Sequence, residues 1–190
     1  MARDADSSDE DLMLSYRDGE AGAFDELYRR HKGGLYRYLL RQCRNTAAAE
    51  ELFQDIWTNL IRAHRSYTVT AKFTTYLYRL AHNRLIDHYR KHAHEAVVSF
   101  DDEDGPALEE PSTSGQEQPA ARYESKQLAA RLLALLEGLP EAQREAFVMQ
   151  YEAGMSVEEI AAATGVPRET AKSRLRYALG KLRQGMGDWR

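Results

Sequence analysis

Apolar residues recur along this chain at intervals of three and four, the spacing that gathers them on one face of a helix, and strand-like alternation is nearly absent. The pattern predicts a helix over 9–17 that stops at Asp18-Gly19, then a longer one from about Glu20 to Arg44. Phe24, Leu27, Tyr28, His31, Leu35 and Leu39 form the stripe of that second helix. Gly33-Gly34 interrupts it, costing ~1 kcal/mol per glycine and offering a place to bend. Thr46 reads as the N-cap of a third helix with Ala49, Leu52, Phe53, Ile56, Trp57 and Leu60 on its apolar face. A fourth, over about 71–92, carries Phe73, Leu77, Leu80, Ala81 and Leu85. These four close an all-α bundle.

The pattern then lapses. Residues 99–120, SFDDEDGPALEEPSTSGQEQPA, hold too few apolar side chains to offset the entropy of ordering, which predicts an extended acidic linker. Helical periodicity resumes near Tyr123, with Leu128, Leu132, Leu135, Leu136 and Leu139 on one stripe. Pro140 suits the start of the next helix, which carries Phe147, Val148 and Tyr151 and ends at Gly154. Ser156-Val157-Glu158-Glu159 is a capping box opening a short helix that stops at Thr164-Gly165, and Pro167 starts the last one. Helix, glycine-containing turn, helix is the helix-turn-helix pattern. The expected architecture is therefore all-α: a helical domain over 1–95, a flexible acidic linker over 96–122 and a helix-turn-helix domain over 123–190.

Charge changes this picture more than composition does. The chain is acidic overall, with 26 basic against 30 acidic residues. Yet residues 62–92 hold seven Lys or Arg (Arg62, Arg65, Lys72, Arg79, Arg84, Arg90, Lys91) against Asp87 alone, and residues 167–183 hold six against Glu169 alone. Between them, residues 92–121 hold eight acids and no Lys or Arg. Two positive segments flank a negative one, and nucleic acid is the partner class such segments suit. No run approaches the ~18 apolar residues of a membrane span, and the polar start MARDADSSDEDLML does not read as a secretory signal, so a cytoplasmic protein is expected. The single cysteine, Cys43, ends an apolar pattern and is read as a buried structural thiol.

On the last helix Ala171, Leu175, Ala178 and Leu182 share the face that must pack, at 100° per residue. Lys172, Arg176 and Arg183 line one flank, Arg174 and Lys181 the other, with Glu169, Ser173 and Gly180 between. That layout suits a major groove: polar groups meet base edges and cations meet phosphates. A solvated surface helix would mix its charges more evenly. Over residues 65–91, bases interleave with Tyr67, Phe73, Tyr76, Tyr78 and Tyr89, as single-stranded nucleic acid requires. Spacing alone leaves open whether those rings stack on bases or fill a core. His88 and His92 stand at i, i+4 without cysteines or an HExxH pattern, so no metal is expected. No phosphate loop or nucleophile motif is present, and neither a cofactor nor an enzyme is expected.

Three motifs together make the chain resemble a bacterial RNA polymerase sigma factor of the extracytoplasmic-function group. AEELFQDIWTNLIRA (49–63) is similar to the family's segment for the polymerase β′ clamp helices, and FTTYLYRLAHNRLIDHYRK (73–91) to its promoter-melting segment. LPEAQREAFVMQYEAGMSVEEIAAATGVPRETAKSRLRYALGKLR (139–183) is similar to its −35 reading domain. The resemblance implies that Glu51, Gln54, Asp55 and Trp57 contact the clamp, with Leu52 and Ile56 holding their helix in the bundle. It implies that the loop Arg65–Lys72 cradles a flipped −10 base. Tyr76, Tyr78, Arg79, Asn83 and Arg84 would engage the melting strand, and Asp87, Arg90 and Lys91 would flank the upstream duplex. Arg168, Glu169, Thr170, Lys172, Ser173, Arg174 and Arg176 would read or clamp the −35 element. The implied partners are core polymerase through its β′ clamp helices and β flap, promoter DNA as duplex and single strand, and an anti-sigma factor or other regulator. The linker would thread the polymerase, and in the free chain it would compete for the basic surfaces. Tyr76 stands where the family often has Trp, and Ala48 where it often has an acid. Two rival readings are a dimeric helix-turn-helix repressor or activator, which leaves 65–91 idle, and a helical adaptor that binds no DNA, which leaves the last helix unexplained.

Overall fold

The computed structural model describes residues 7–95 and 119–187. Among the described residues there are eight α-helices, one 3-10 turn and no strand. The N-terminal unit comprises α1 (Asp9–Arg17), α2 (Ala21–Cys43), α3 (Thr46–Ala63), the 3-10 turn His64–Ser66 and α4 (Phe73–Glu95). The C-terminal unit comprises α5 (Pro119–Glu137), α6 (Glu141–Ala153), α7 (Val157–Thr164) and α8 (Arg168–Gly187). The expected linker lies almost wholly outside the described residues. Its last part does not: α5 begins at Pro119, four residues before Tyr123, as a proline suited to a first helical turn allows.

Local chemistry sets most helix ends. Ser8 caps α1 by accepting from the Asp11 amide, and three acids in the first turn suit the positive end of the helix. The α3 cap is a correction: Asn45, extended at φ −139° and ψ 123°, accepts from the Ala48 amide at 2.9 Å, and Thr46 is already helical. Both residue types cap well, so sequence alone could not separate neighbours. Ser156 and Glu159 form the reciprocal capping box of α7, with bonds of 3.2 and 2.8 Å. Gly154 and Gly165 end α6 and α7 in left-handed conformations, at φ 62° and 67°. α2 runs unbroken through Gly33-Gly34.

The predicted stripes form most of the core, with two corrections: Leu128 is 44% exposed, because α5 packs chiefly on α8, and Tyr151 is 62% exposed beside the Phe147 ring. Leu27, Leu35, Leu39, Ile56, Leu60, Phe73 and Leu77 are fully buried in the N-terminal unit, while Met149, Ile160, Ala171, Leu175 and Ala178 are buried in the other. The two units pack on each other, α6 against α2 and α7 against α4. Cys43 is half-buried, and burial pushes its thiol up to about 11, as suits a structural residue.

Candidate nucleic-acid and polymerase interfaces

α8 is positioned from below by Ala171, Leu175, Ala178 and Leu182, all buried against the preceding helices. That anchoring leaves Arg168, Glu169, Lys172, Arg176, Lys181 and Arg183 exposed, with Thr170, Ser173 and Arg174 half-buried beside them. The cations are not equivalent. Arg168 pairs with Glu158 at 2.5 Å and with Glu169 at 2.9 Å, while Lys172 lies 3.8 Å from Glu169. These hydrogen bonds raise the Arg168 pKa and lower that of Glu158. Arg176 instead lies against the exposed Tyr177 ring, 5.2 Å from its centroid. The face can therefore offer free cations to phosphate and a short mixed strip to base edges.

Along α3, Glu51, Gln54 and Asp55 are exposed on one strip, with Leu52 and Ile56 buried behind them. Trp57 does not join that strip. It is 4% exposed, and its ring meets Phe24, Tyr28 and Phe53 at 5.0–6.2 Å. Its place in the apolar stripe outweighs the surface contact assigned to it, so Trp57 is corrected to a core residue.

The basic tyrosine segment divides into three. Arg65 is exposed just before the loop to Lys72, whereas Lys72 itself is held by Glu159 at 2.7 Å. Tyr76 is half-buried, its ring 5.2 Å from that of Tyr67. Burial raises both phenols, Tyr67 to about 12. Tyr78 is a further correction: at 2% exposure, edge-on to Tyr38 at 5.1 Å, it faces the core and not a strand of DNA. Burial raises its pKa strongly. Arg79 donates to the Ala162 carbonyl of α7 at 2.8 Å.

Asn83 and Asp87 are exposed and Arg84 half-exposed on the other side of α4, where with Leu80 they wall a cleft of about 430 Å³. Its opposite wall is α3, through Asn59, Arg62 and Ala63. Arg90 and Lys91 are exposed one turn beyond. Asn59 and Arg62 were not singled out from sequence, although they extend the Asp55 strip at i+4 and i+7. Two arginines and two amides around one open cleft can take a phosphate and a base edge together.

Two family models match the chain: Sigma-70 region 2 over residues 27–95 and Sigma-70 region 4 over residues 129–182. The RNA polymerase sigma factor CarQ of Myxococcus xanthus is 32% identical over 177 residues, 93% of this chain and 96% of that one. The ECF RNA polymerase sigma factor RpoE of Cereibacter sphaeroides is 33% identical over 92% of this chain and 93% of its own length. Among solved structures, CnrH in complex with the cytosolic domain of CnrY aligns with a TM-score of 0.67 at 23% identity, over 97% and 100% of the two chains. The sigma factor RpoE bound to the anti-sigma factor NepR from Bartonella quintana aligns at 0.70 and 21% identity, over 88% and 98%. At those identities the structures establish the fold.

Proposed function

The chain belongs to the extracytoplasmic-function RNA polymerase sigma factors, and from that premise we propose how its surfaces divide the work of promoter recognition. It is an alternative sigma factor and initiates transcription with core polymerase. Residues 1–95 serve as the region that binds polymerase and opens the −10 element, 96–122 as the acidic linker and 123–190 as the −35 reader. The observation that carries the division is α8: a basic, exposed edge on a helix whose apolar face is wholly buried.

In this reading Lys172, Arg174 and Arg176 clamp −35 phosphates while Arg168, Glu169, Thr170 and Ser173 face the groove. Glu169 accepts from a base amino group once Arg168 turns to DNA. Glu51, Gln54 and Asp55 form the polymerase contact on α3. Arg65, Lys72, Tyr76, Arg79, Asn83 and Arg84 hold the unpaired −10 strand, joined by Asn59 and Arg62 across the cleft, and Asp87, Arg90 and Lys91 lie toward the upstream duplex. Holding unstacked bases this way offsets a few kcal/mol of unstacking per step, so melting needs no bond-making chemistry. The β flap is the expected second polymerase contact. An anti-sigma protein is the expected regulator, as the anti-sigma factor NepR is found on the similar sigma factor RpoE from Bartonella quintana. The described residues include no helix long and apolar enough to cross a membrane. A factor that works on core polymerase and promoter DNA would act in the cytoplasm, where both are found.

Transcription by purified core polymerase on promoter fragments tests the reading. Specific initiation only upon addition of this chain is expected. Duplex binding with no effect on polymerase would point to a repressor, and neither activity to an adaptor.

A further inference from the structure

Several basic groups assigned to DNA are already occupied. Lys72 holds Glu159, Arg79 holds the Ala162 carbonyl, and Arg168 holds both Glu158 and Glu169. The cleft between α3 and α4 is different. Asn59 and Arg62 line it from α3, and Asn83, Arg84 and Asp87 line it from α4. Among the described residues, no hydrogen bond or ion pair engages any of these five side chains. All five border one open cavity of about 430 Å³, within the ~300–1,000 Å³ typical of small-molecule sites. Leu80 adds an apolar wall and is itself packed against the core. α3 packs directly on α4, so helices and not loops set the spacing of the two walls.

The chemistry of the walls narrows the ligand. Arg62 and Arg84 can only donate and suit an anion, whereas the Asp87 carboxylate can only accept, through two oxygens. The two amides supply both roles. A fitting molecule carries phosphate at one end, adjacent N–H donors at the other, and a flat face for Leu80. A guanine nucleotide meets all three demands. Its N1–H and N2–H lie side by side, as the two carboxylate oxygens do, and its O6 can accept from a neighbouring amide. Adenine and cytosine offer that edge a single amino group. Thymine offers a lone N3–H between two carbonyls, which a carboxylate repels.

From these five unpartnered groups around one cleft we propose a pocket for a single guanine nucleotide between α3 and α4. Arg62 and Arg84 take the phosphate, and Asp87, Asn59 and Asn83 take the Watson–Crick edge of the base, as pockets for unstacked bases do. Two sources present that chemistry. One is a guanine unstacked from the −10 strand, which rests on the division of surfaces above; the other is a free guanine nucleotide. Asn59 and Arg62 follow Asp55 at i+4 and i+7, so α3 carries the polymerase strip at one end and half of the pocket at the other.

The test uses the full chain. Anisotropy follows its binding to labelled oligothymidine strands carrying one central guanine, hypoxanthine or thymine. Saturation-transfer NMR follows free 5′-dGMP against 5′-dTMP. A bidentate base contact discriminates by about fivefold or more. The guanine strand is expected to bind at least about fivefold more tightly than the thymine strand, with hypoxanthine, which lacks the N2 amino group, between them. Arg62, Asn83 and Asp87 are exposed, so replacing them should leave the fold intact. Asp87→Asn should bring the guanine-to-thymine ratio within about twofold, a change that loss of charge alone would not make. Arg62→Ala should weaken both strands alike and lower the salt slope by about 0.7. A strand preference without a dGMP signal assigns the pocket to DNA, and a dGMP signal without a strand preference assigns it to the free nucleotide. Absence of both overturns the proposal, as does an Asp87→Asn chain that keeps the wild-type preference. Failure of the sigma-factor division would appear separately, as lack of core-dependent transcription by the wild type.

Discussion

Replacing Arg176 by alanine isolates one of the proposed phosphate clamps. The side chain is exposed on α8, touches the Tyr177 ring at 5.2 Å and forms no ion pair among the described residues. Its positive charge is therefore fully available to DNA. Losing one phosphate contact should lower the slope of log affinity against log salt by about 0.9. Between 50 and 200 mM salt, wild type then loses about 3.5-fold more affinity than the variant. Arg168→Ala should behave differently. Arg168 must leave Glu158 and Glu169 to reach the groove, and each freed carboxylate takes up a cation that offsets one released from DNA. Its slope change should be less than half that of Arg176→Ala. Anisotropy titrations of the full chain on a labelled −35 duplex, repeated across the salt range, read both numbers. Parallel lines for wild type and Arg176→Ala would refute the clamp. A full-sized change for Arg168→Ala would refute the account of its pairing.

Three further outcomes follow from packing, capping and charge. Leu175→Ala empties a side chain only 4% exposed beneath α8 and should cost about 2–5 kcal/mol in chemical denaturation of the C-terminal unit. Asn45→Ala should destabilise the N-terminal unit by about 0.5–2 kcal/mol, whereas Thr46→Ala should fall within about 0.5, separating the true cap from its neighbour in the same measurement. The His31 ring, bonded to Asp9 at 2.7 Å with Arg30 beside it, holds the Asp9 carboxyl below its ordinary 3.8. A depressed folded pKa gives stability that is present above 3.8 and is lost as pH falls through the folded value, so Asp9→Asn should flatten the acid limb of a urea-midpoint profile below about pH 4.

Burial was legible over most of the periodic stripes, failed at Leu128 and Tyr151, which are 44% and 62% exposed, and was ambiguous wherever one side chain could serve two roles. The stripe 49, 52, 53, 56, 57, 60 already placed Trp57 inside, and only the resemblance drew it outward. Tyr78 follows Leu77 on α4, where an apolar stripe and a polar face meet, and its ring fitted either. What the sequence could not reveal is pairing across long separations. Glu145 lies 107 residues from Tyr38, and Glu152 lies 115 from Arg37. No local rule connects such positions, so Gly33-Gly34 read as a weakness in α2 when Gly34 is where α6 approaches. The Asn59 and Arg62 wall stayed hidden for a related reason: a cleft needs two helices, and each contributes only half of it.

The two surfaces proposed to meet DNA both carry cations, yet salt should act on them in opposite balance. On α8 the cations are offset only within their own unit, by Glu158 and Glu169, so added salt simply screens their attraction to duplex. Between the units, salt also screens the pairs Lys72–Glu159 and Arg37–Glu152, whose cationic side chains are 69% and 48% exposed, and so favours their parting. Single-strand binding by the free chain then loses phosphate attraction but gains accessible surface as salt rises. Its affinity should fall less steeply with salt than duplex affinity, and Gly34→Leu, whose side chain would crowd the Tyr78 hydroxyl and the Glu152 carbonyl, should restore the steeper fall. Anisotropy on the two labelled probes across one salt series decides it. Equal curvature and slope for wild type and Gly34→Leu on single strand would mean that the contacts between the units carry no weight in the binding equilibrium.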